Sequence, residues 1–245
     1  MTNPEAGCSR ASWLTAAAGA GQGHAMDRLP LDALVTRMLS RSQFDYRVAA
    51  DENERAVAYR LRGNAVIDRG WRVADDLPGG MERDEYDDHA IHVIGWDRGV
   101  AMSTGRVVLP PRLPTEKACG FVVEPRGRVV DVGRMCVAGS HQSLEHGALM
   151  GLMCRLYLAM RESGFEVACG MMSIPARALM GLFGLQLEIL GPERTYWNES
   201  RAPVRFSLMS ATRLVAGGHG QLSDSQAART SAVFAPPNPK ELDSA

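Results

Sequence analysis

Six charged side chains, Arg62, Asp84, Asp87, Arg106, Asp131 and Arg134, are the residues whose types and order could do chemistry. Carboxylates of this kind can orient an amine or help remove its proton. Arginines bind a carboxylate through two parallel hydrogen bonds, or shape the site around it. Asp131 and Arg134 lie three apart on an expected strand, so their side chains point to opposite faces unless a bulge intervenes. The same six residues could instead form an ion-pair network that pins the 72–88 loop onto a sheet, and a charge count does not separate the two. Asp131 is the first candidate for helping to deprotonate an amine, and Arg134 goes with it. His89 and His92 stand at a spacing that could bind a metal, but no third ligand is near, so they read as ordinary loop histidines and no metal is expected. No Ser-His-Asp or Cys-His arrangement is evident. Neither G-x-G-x-x-G nor the phosphate-loop G-x-x-x-x-G-K-[ST] occurs, so dinucleotide redox chemistry and nucleotide hydrolysis have no support.

These residues need elements to position them. Apolar residues at helical spacing predict a short helix over 31–39. Alternation predicts a strand over 44–48. Asp51 followed by Glu54 has capping-box spacing and opens a helix to about residue 69, which carries Arg62. Residues 90–94 and 99–109 read as the arms of an antiparallel hairpin, the second carrying Arg106. A Val-rich strand over 128–137 carries Asp131 and Arg134. A strongly apolar helix over 149–160 follows, then a strand over 167–172, a short helix over 176–183 and strands over 187–190 and 204–209. The order predicts an α+β (α/β sandwich) fold with a central, mixed but mostly antiparallel twisted sheet flanked by helices.

Residues 1–27 are rich in Ala, Gly and Ser and read as a flexible segment; 28–215 read as one domain. Residues 216–245 hold a polar run and Pro236-Pro237 and read as a flexible tail. A net charge of -1 gives no basic excess, so a nucleic-acid partner is not expected. Five scattered cysteines without a C-x-x-C pair argue against a disulfide framework and a structural zinc, and fit a reducing cytoplasm. No apolar run is long enough to span a bilayer.

Four blocks, taken in order, carry a resemblance. They are Tyr59-Arg60-Leu61-Arg62 with Asp68-Arg69-Gly70-Trp71, then Glu82-Arg83-Asp84-Glu85-Tyr86-Asp87, then Gly105-Arg106-Val107-Val108-Leu109-Pro110, then Asp131-Val132-Gly133-Arg134. Together they resemble the acyl-homoserine lactone autoinducer synthases and the long-chain N-acyl amino acid synthases, both of the GNAT type. The resemblance implies a GNAT-like acyltransferase domain that joins a fatty acyl group from a thioester to an amine, with no bound cofactor. It implies catalytic roles for Asp131 and Arg134 and substrate-binding roles for Arg62, Trp71, Asp84, Asp87 and Arg106. Val66 stands where lactone synthases usually carry an aromatic residue, and Arg69-Gly70-Trp71 is one residue short of their usual loop. Both departures favour an amino acid over S-adenosylmethionine as acceptor, with Arg62 or Arg106 holding its carboxylate. Lactone synthesis from S-adenosylmethionine and a silent acyl- or carrier-binding module are the alternatives.

GNAT enzymes cradle a pyrophosphate on a Gly-rich turn before a helix. Gln142-Ser143-Leu144-Glu145-His146-Gly147 matches that pattern at both ends, but Glu145 replaces its first glycine. A carboxylate there favours acyl carrier protein over free acyl coenzyme A as donor. Met150, Met153, Met160, Met171, Met172 and Met180 suit either a flexible acyl tunnel or ordinary core. Arg155 and Arg161 suit either a carrier-protein contact or solvated helix charges.

Overall fold

The computed structural model describes residues 30–182 and 185–210. The elements run α1 (Pro30–Ser40), β1 (Asp45–Val48), α2 (Glu52–Asp68), β2 (Ala90–Asp97), β3 (Val100–Val108), α3 (Pro114–Cys119), β4 (Val129–Val137), α4 (Glu145–Glu162), β5 (Val167–Met172), α5 (Ile174–Leu182), β6 (Glu188–Ile189), β7 (Arg194–Tyr196) and β8 (Glu199–Ser207). The strands form a sheet in the order β1-β2-β3-β4-β5-β8-β6, with β7 hairpinned onto β8. Every pairing is antiparallel except β4 with β5. The expected α+β sandwich is therefore the fold adopted. The segments expected to be flexible, 1–27 and 216–245, lie outside the described residues.

Local chemistry sets the main elements. Asp51 caps α2 by accepting the Glu54 N–H at 2.9 Å, and Glu54 in turn accepts the Ala50 N–H at 2.8 Å. The β2–β3 hairpin closes over Arg98 and Gly99, both at positive φ, which is the backbone a two-residue hairpin turn requires. One face of the sheet carries Val93, Val107, Val130 and Val132 into the main core, packed by Leu149, Leu152 and Leu156 of α4. The opposite face, reached by alternation, is covered by α2 and α3. Gly151 lets α4 lie against β1: a Cβ there would come within 2.2 Å of the Tyr46 ring.

The reading of the elements missed two. Residues 114–119 form α3, started by Pro114 at its first turn and ended by Gly120 at φ 75°. Strand β8 begins at Glu199, not 204, and is preceded by β7. Among the described residues no helix is long and apolar enough to cross a membrane.

Candidate active site

The β4–β5 ladder is short. It pairs Val129 with Val167, Val130 with Ala168 and Asp131 with Cys169, and goes no further. Beyond that point the strands part, and the gap between them is where the site lies. A second irregularity sits on the β3 side of β4. Arg106 pairs with Gly133 while Thr104 pairs with Cys136, so β4 carries an extra residue there, and Arg134 has φ 55°. This is a β-bulge. A left-handed conformation at a non-glycine residue costs on the order of 1–2 kcal/mol. The bulge places Arg134 on the α2 side of the sheet, the side that Arg106 and Asp131 also face. The opposite-face expectation for Asp131 and Arg134 thus fails for a physical reason.

Three arginines and three acids then meet. Arg62 of α2 forks onto Asp87, with Nη1 to Oδ1 at 2.7 Å and Nη2 to Oδ2 at 3.0 Å, and its Nε–H donates to Glu82. Arg106 donates through Nη1 to Asp84 at 2.6 Å and to Asp87 at 2.7 Å. Arg134 donates through Nε to Glu82 at 3.2 Å and through Nη2 to Asp84 at 2.9 Å. Each acid bridges two arginines, and the six close a ring: Arg62, Glu82, Arg134, Asp84, Arg106, Asp87 and back to Arg62. Gly63 allows the acid-bearing loop to rest on α2, because a Cβ there would sit 2.1 Å from the Gly80 carbonyl oxygen. The Glu82 N–H also donates to the Tyr59 carbonyl at 3.0 Å.

The ring's electrostatics follow from its closure. Burial alone would raise the acids. The hydrogen bonds and charges of Arg62 and Arg106 outweigh it and hold Asp87 well below the ordinary carboxylate range. Asp84 is lowered too, burial being outweighed chiefly by Arg106. Burial opposes the charge of Arg62 and Arg106, but their acids win and raise both. Arg62 and Arg106 are each only 2% exposed, and both are paired with acids of the ring. His92 lies beneath the ring, its imidazole edge-on to Tyr59. Burial pushes it down to about 4, so it is neutral near pH 7. Among the described residues no group of three His, Cys, Asp or Glu could hold a metal.

Asp131 stands apart from the ring. Its carboxylate accepts the Thr115 N–H of α3 at 2.7 Å, and the Cys169 thiol lies 3.8 Å away. Burial pushes it up to about 6. It is not among the residues that line either cavity described next.

On the α2 side, a cleft of about 950 Å³, counting its open mouth, occupies the gap. Its walls are Arg62 and Val66 of α2, Arg69 and Trp71 just beyond it, residues 132–136 of β4, Met171 and Met172 of β5, and Trp197, Glu199 and Arg201 of the β7–β8 hairpin. On the α4 side lies a narrow apolar cavity of about 50 Å³, or about 580 Å³ counting the space open to solvent, lined by Met135, Met150, Met153, Met160, Met172 and Met180 among others. Val132, Met135, Met172 and Met180 belong to both walls, so the two cavities meet at the parted strands. Of the methionines singled out in the sequence, Met171 lines only the polar cleft.

The cleft's aromatic residues are covered by guanidinium groups. Arg69 and Arg201 lie 4.9 and 5.2 Å from the Trp71 ring centre, and Arg134 and Arg72 lie 4.4 and 5.5 Å from that of Trp197. The two indoles are 6.1 Å apart. Trp197 and Asn198, at φ 55° and 54°, form the two-residue turn that tips the hairpin toward α2. Arg69, Trp197, Glu199 and Arg201 were not singled out from the sequence. The Trp197-Asn198 turn was the available signal, since asparagine tolerates this conformation.

Arg155 pairs with Glu162 at 3.1 Å. Arg161 is buried, within 3.6 Å of Asp32 and 3.7 Å of Glu166, and joins α4 to α1. The 139–144 segment is a 3-10 turn leading into α4. The side chains of 142–146, Glu145 included, lie outside the described residues.

An open, mostly antiparallel sheet that parts at one parallel pair, with helices on both faces, is a GNAT-like fold. Solved structures similar to the chain share it. The acyl-homoserine lactone synthase LasI is 15% identical, with a TM-score of 0.56 over 71% of this chain and 96% of that one. FeeM, an N-acyl amino acid synthase from uncultured soil microbes, is 13% identical, with a TM-score of 0.52 over 73% and 98%. BjaI, a coenzyme A-dependent acyl-homoserine lactone synthase solved with S-adenosylmethionine and isopentyl-coenzyme A, is 16% identical, with a TM-score of 0.55 over 75% and 96%. No family model and no curated protein matches the sequence.

Proposed function

We propose that the chain is an N-acyltransferase that moves a fatty acyl group from a thioester to the amine of an amino acid. The observation that carries this reading is the meeting of an apolar, methionine-lined cavity and a charged cleft at the parted strands. The acyl chain occupies the cavity, where burial is worth about 0.8 kcal/mol per methylene. The thioester carbonyl sits at the gap and the acceptor enters from the cleft.

The amine attacks the carbonyl carbon directly. The C–N bond forms, the C–S bond breaks, and the thiol leaves with the carrier. Backbone N–H groups at the unpaired edge of β4 are candidate donors to the developing oxyanion. Asp84 and Asp87 act as fixed charges that shape the cleft: each is shared by two arginines and lies below the usual carboxylate range, so neither is a strong base. Asp131, beneath α3, acts as a positioning residue for β4. The amine's proton leaves through water. Arg134 carries the ring's charge to the cleft wall and Trp71 forms part of that wall. Acyl carrier protein is the expected donor, on the strength of Glu145 at the start of α4.

The test is an acceptor panel of amino acids, simple amines and S-adenosylmethionine with one acyl thioester, read by thiol release and mass spectrometry. N-acyl amino acid as main product supports the proposal. Lactone as main product replaces it with the autoinducer-synthase reading, and no thiol release with any acceptor replaces it with a silent binding module. Carrier-protein and coenzyme A thioesters of one chain length, compared side by side, decide the donor.

A further inference from the structure

The ring consumes the charge of Arg62 and Arg106, which leaves open what holds an acceptor's carboxylate. The β7–β8 hairpin supplies another cation. Arg201 lines the cleft with its side chain 17% exposed. Its carboxylate partner is Glu199, at 2.9 Å, and Glu199 is shared with Arg69 at 3.7 Å. Glu199 is thus shared between two guanidinium groups. The Nε–H of Arg201 is buried and has no hydrogen-bond partner. Directly across the hairpin from Arg201 stands Arg194, a second cation. Arg194 donates to the Ala118 carbonyl at 2.9 Å, and its own Nε–H is buried without a partner. Like charges placed opposite each other on paired strands destabilise the pair unless an anion joins them.

Arg106 of the ring also has a buried Nε–H without a partner, so the contrast with the ring arginines lies in their acids. Arg62 and Arg106 are raised by their acids, whereas burial outweighs Glu199 and lowers Arg201. Arg201 is a half-buried cation whose one carboxylate partner is shared. The Trp71 ring at 5.2 Å and the Tyr196 ring at 5.9 Å pack about its guanidinium. A planar guanidinium fork with a buried N–H left unsatisfied matches a carboxylate.

We propose that Arg201 anchors the carboxylate of an α-amino acid acceptor, with Trp71 and Trp197 forming the walls beside it. The proposal rests on the acyltransfer reading above and makes it specific: the acceptor is an amine that carries one carboxylate. S-Adenosylmethionine carries the same α-amino carboxylate. Each indole of the cleft, however, already has two guanidinium groups within 5.5 Å, which disfavours a further cation such as a sulfonium.

The experiment compares leucine with 3-methylbutylamine, the same amine without the carboxylate, using the full chain and one acyl thioester. Wild type is expected to prefer leucine. In Arg201→Gln, the leucine-to-amine ratio of kcat/KM should fall about 10- to 100-fold, the worth of a charge-assisted carboxylate contact. The loss should lie in the leucine KM more than in kcat, and Arg201→Lys should recover part of it. Glu199→Gln removes the competing carboxylate and should lower the leucine KM several-fold. A wild type that uses both amines equally overturns the anchor while leaving acyl transfer standing. So does an Arg201→Gln variant that keeps the leucine preference or loses both amines in step. A wild type that acylates no amine overturns acyl transfer and the anchor together. If S-adenosylmethionine alone is acylated, and through Arg201, the anchor holds and the free amino acid is replaced.

Discussion

Arg62 and Asp87 face each other in a forked pair, with hydrogen bonds of 2.7 and 3.0 Å, and both side chains are almost wholly buried. Each is also bound to a second partner of the ring. Asp87→Ala leaves Arg62 and Arg106 short of a partner in a buried place. Breaking one member of a buried ion network costs roughly 3–5 kcal/mol. Chemical denaturation of Asp87→Ala should show a loss of that order, and a loss below about 1 kcal/mol would mean that water enters and replaces the carboxylate.

Asp87 and Asp131 should give opposite pH dependence. Asp87 is depressed in the folded state, so its stabilisation is present above the unfolded value near 3.8 and is lost as pH falls through the lower folded value. Asp131 is raised to about 6, so it favours the fold below about 3.8 and progressively less as pH rises toward 6. Asp131→Asn keeps an acceptor for the Thr115 N–H and removes the buried charge. The stability of the variant relative to wild type should rise between pH 4 and 6, and at pH 7 the variant should be equal or more stable. A parallel pair of stability curves would show that Asp131 does not titrate in this window.

The methionine cavity should set donor length. Met153→Trp fills part of it with a rigid ring. Excluding four methylenes forfeits about 3 kcal/mol of burial, or roughly 100-fold in kcat/KM. Long-chain thioesters should lose activity by about that factor while short-chain ones change little. Equal losses for both would place the chain elsewhere.

Gly63 is a steric test of the same loop that carries the acids. Gly63→Ala puts a methyl group 2.1 Å from the Gly80 carbonyl, so the loop must move off α2. Overpacking of this kind costs about 1–3 kcal/mol, which lowers Tm by roughly 5 °C in a domain of this size. An unchanged Tm would show that the loop can shift without disturbing the ring.

Much of the fold was legible because its signals are local. Asp51 with Glu54, the Val-rich stretch around Val130 and the apolar run of α4 each declare an element over a few residues. The charged set around Arg62 and Asp87 was legible as types in order, but its closure into a ring was not. Closure depends on the bulge at Arg134, and no local pattern in Val132-Gly133-Arg134 announces one extra residue on one strand. Arg201 was missed for a related reason: β7 is three residues long, and its pairing with β8 is set by tertiary packing more than by strand propensity. The separation of Asp131 from the cleft follows from α3, whose Thr115 N–H claims its carboxylate.

The closed ring has a consequence for how this sequence can drift. In an open chain of ion pairs an end member can be lost with one contact, and the rest stay matched. Here there is no end member: each of Arg62, Glu82, Arg134, Asp84, Arg106 and Asp87 serves two neighbours. Any one exchange strands two others, so the six are tied to a common fate. Among descendants of this chain that keep the site, they should be retained or replaced as a block, while residues outside the cycle, such as Val66, vary one at a time.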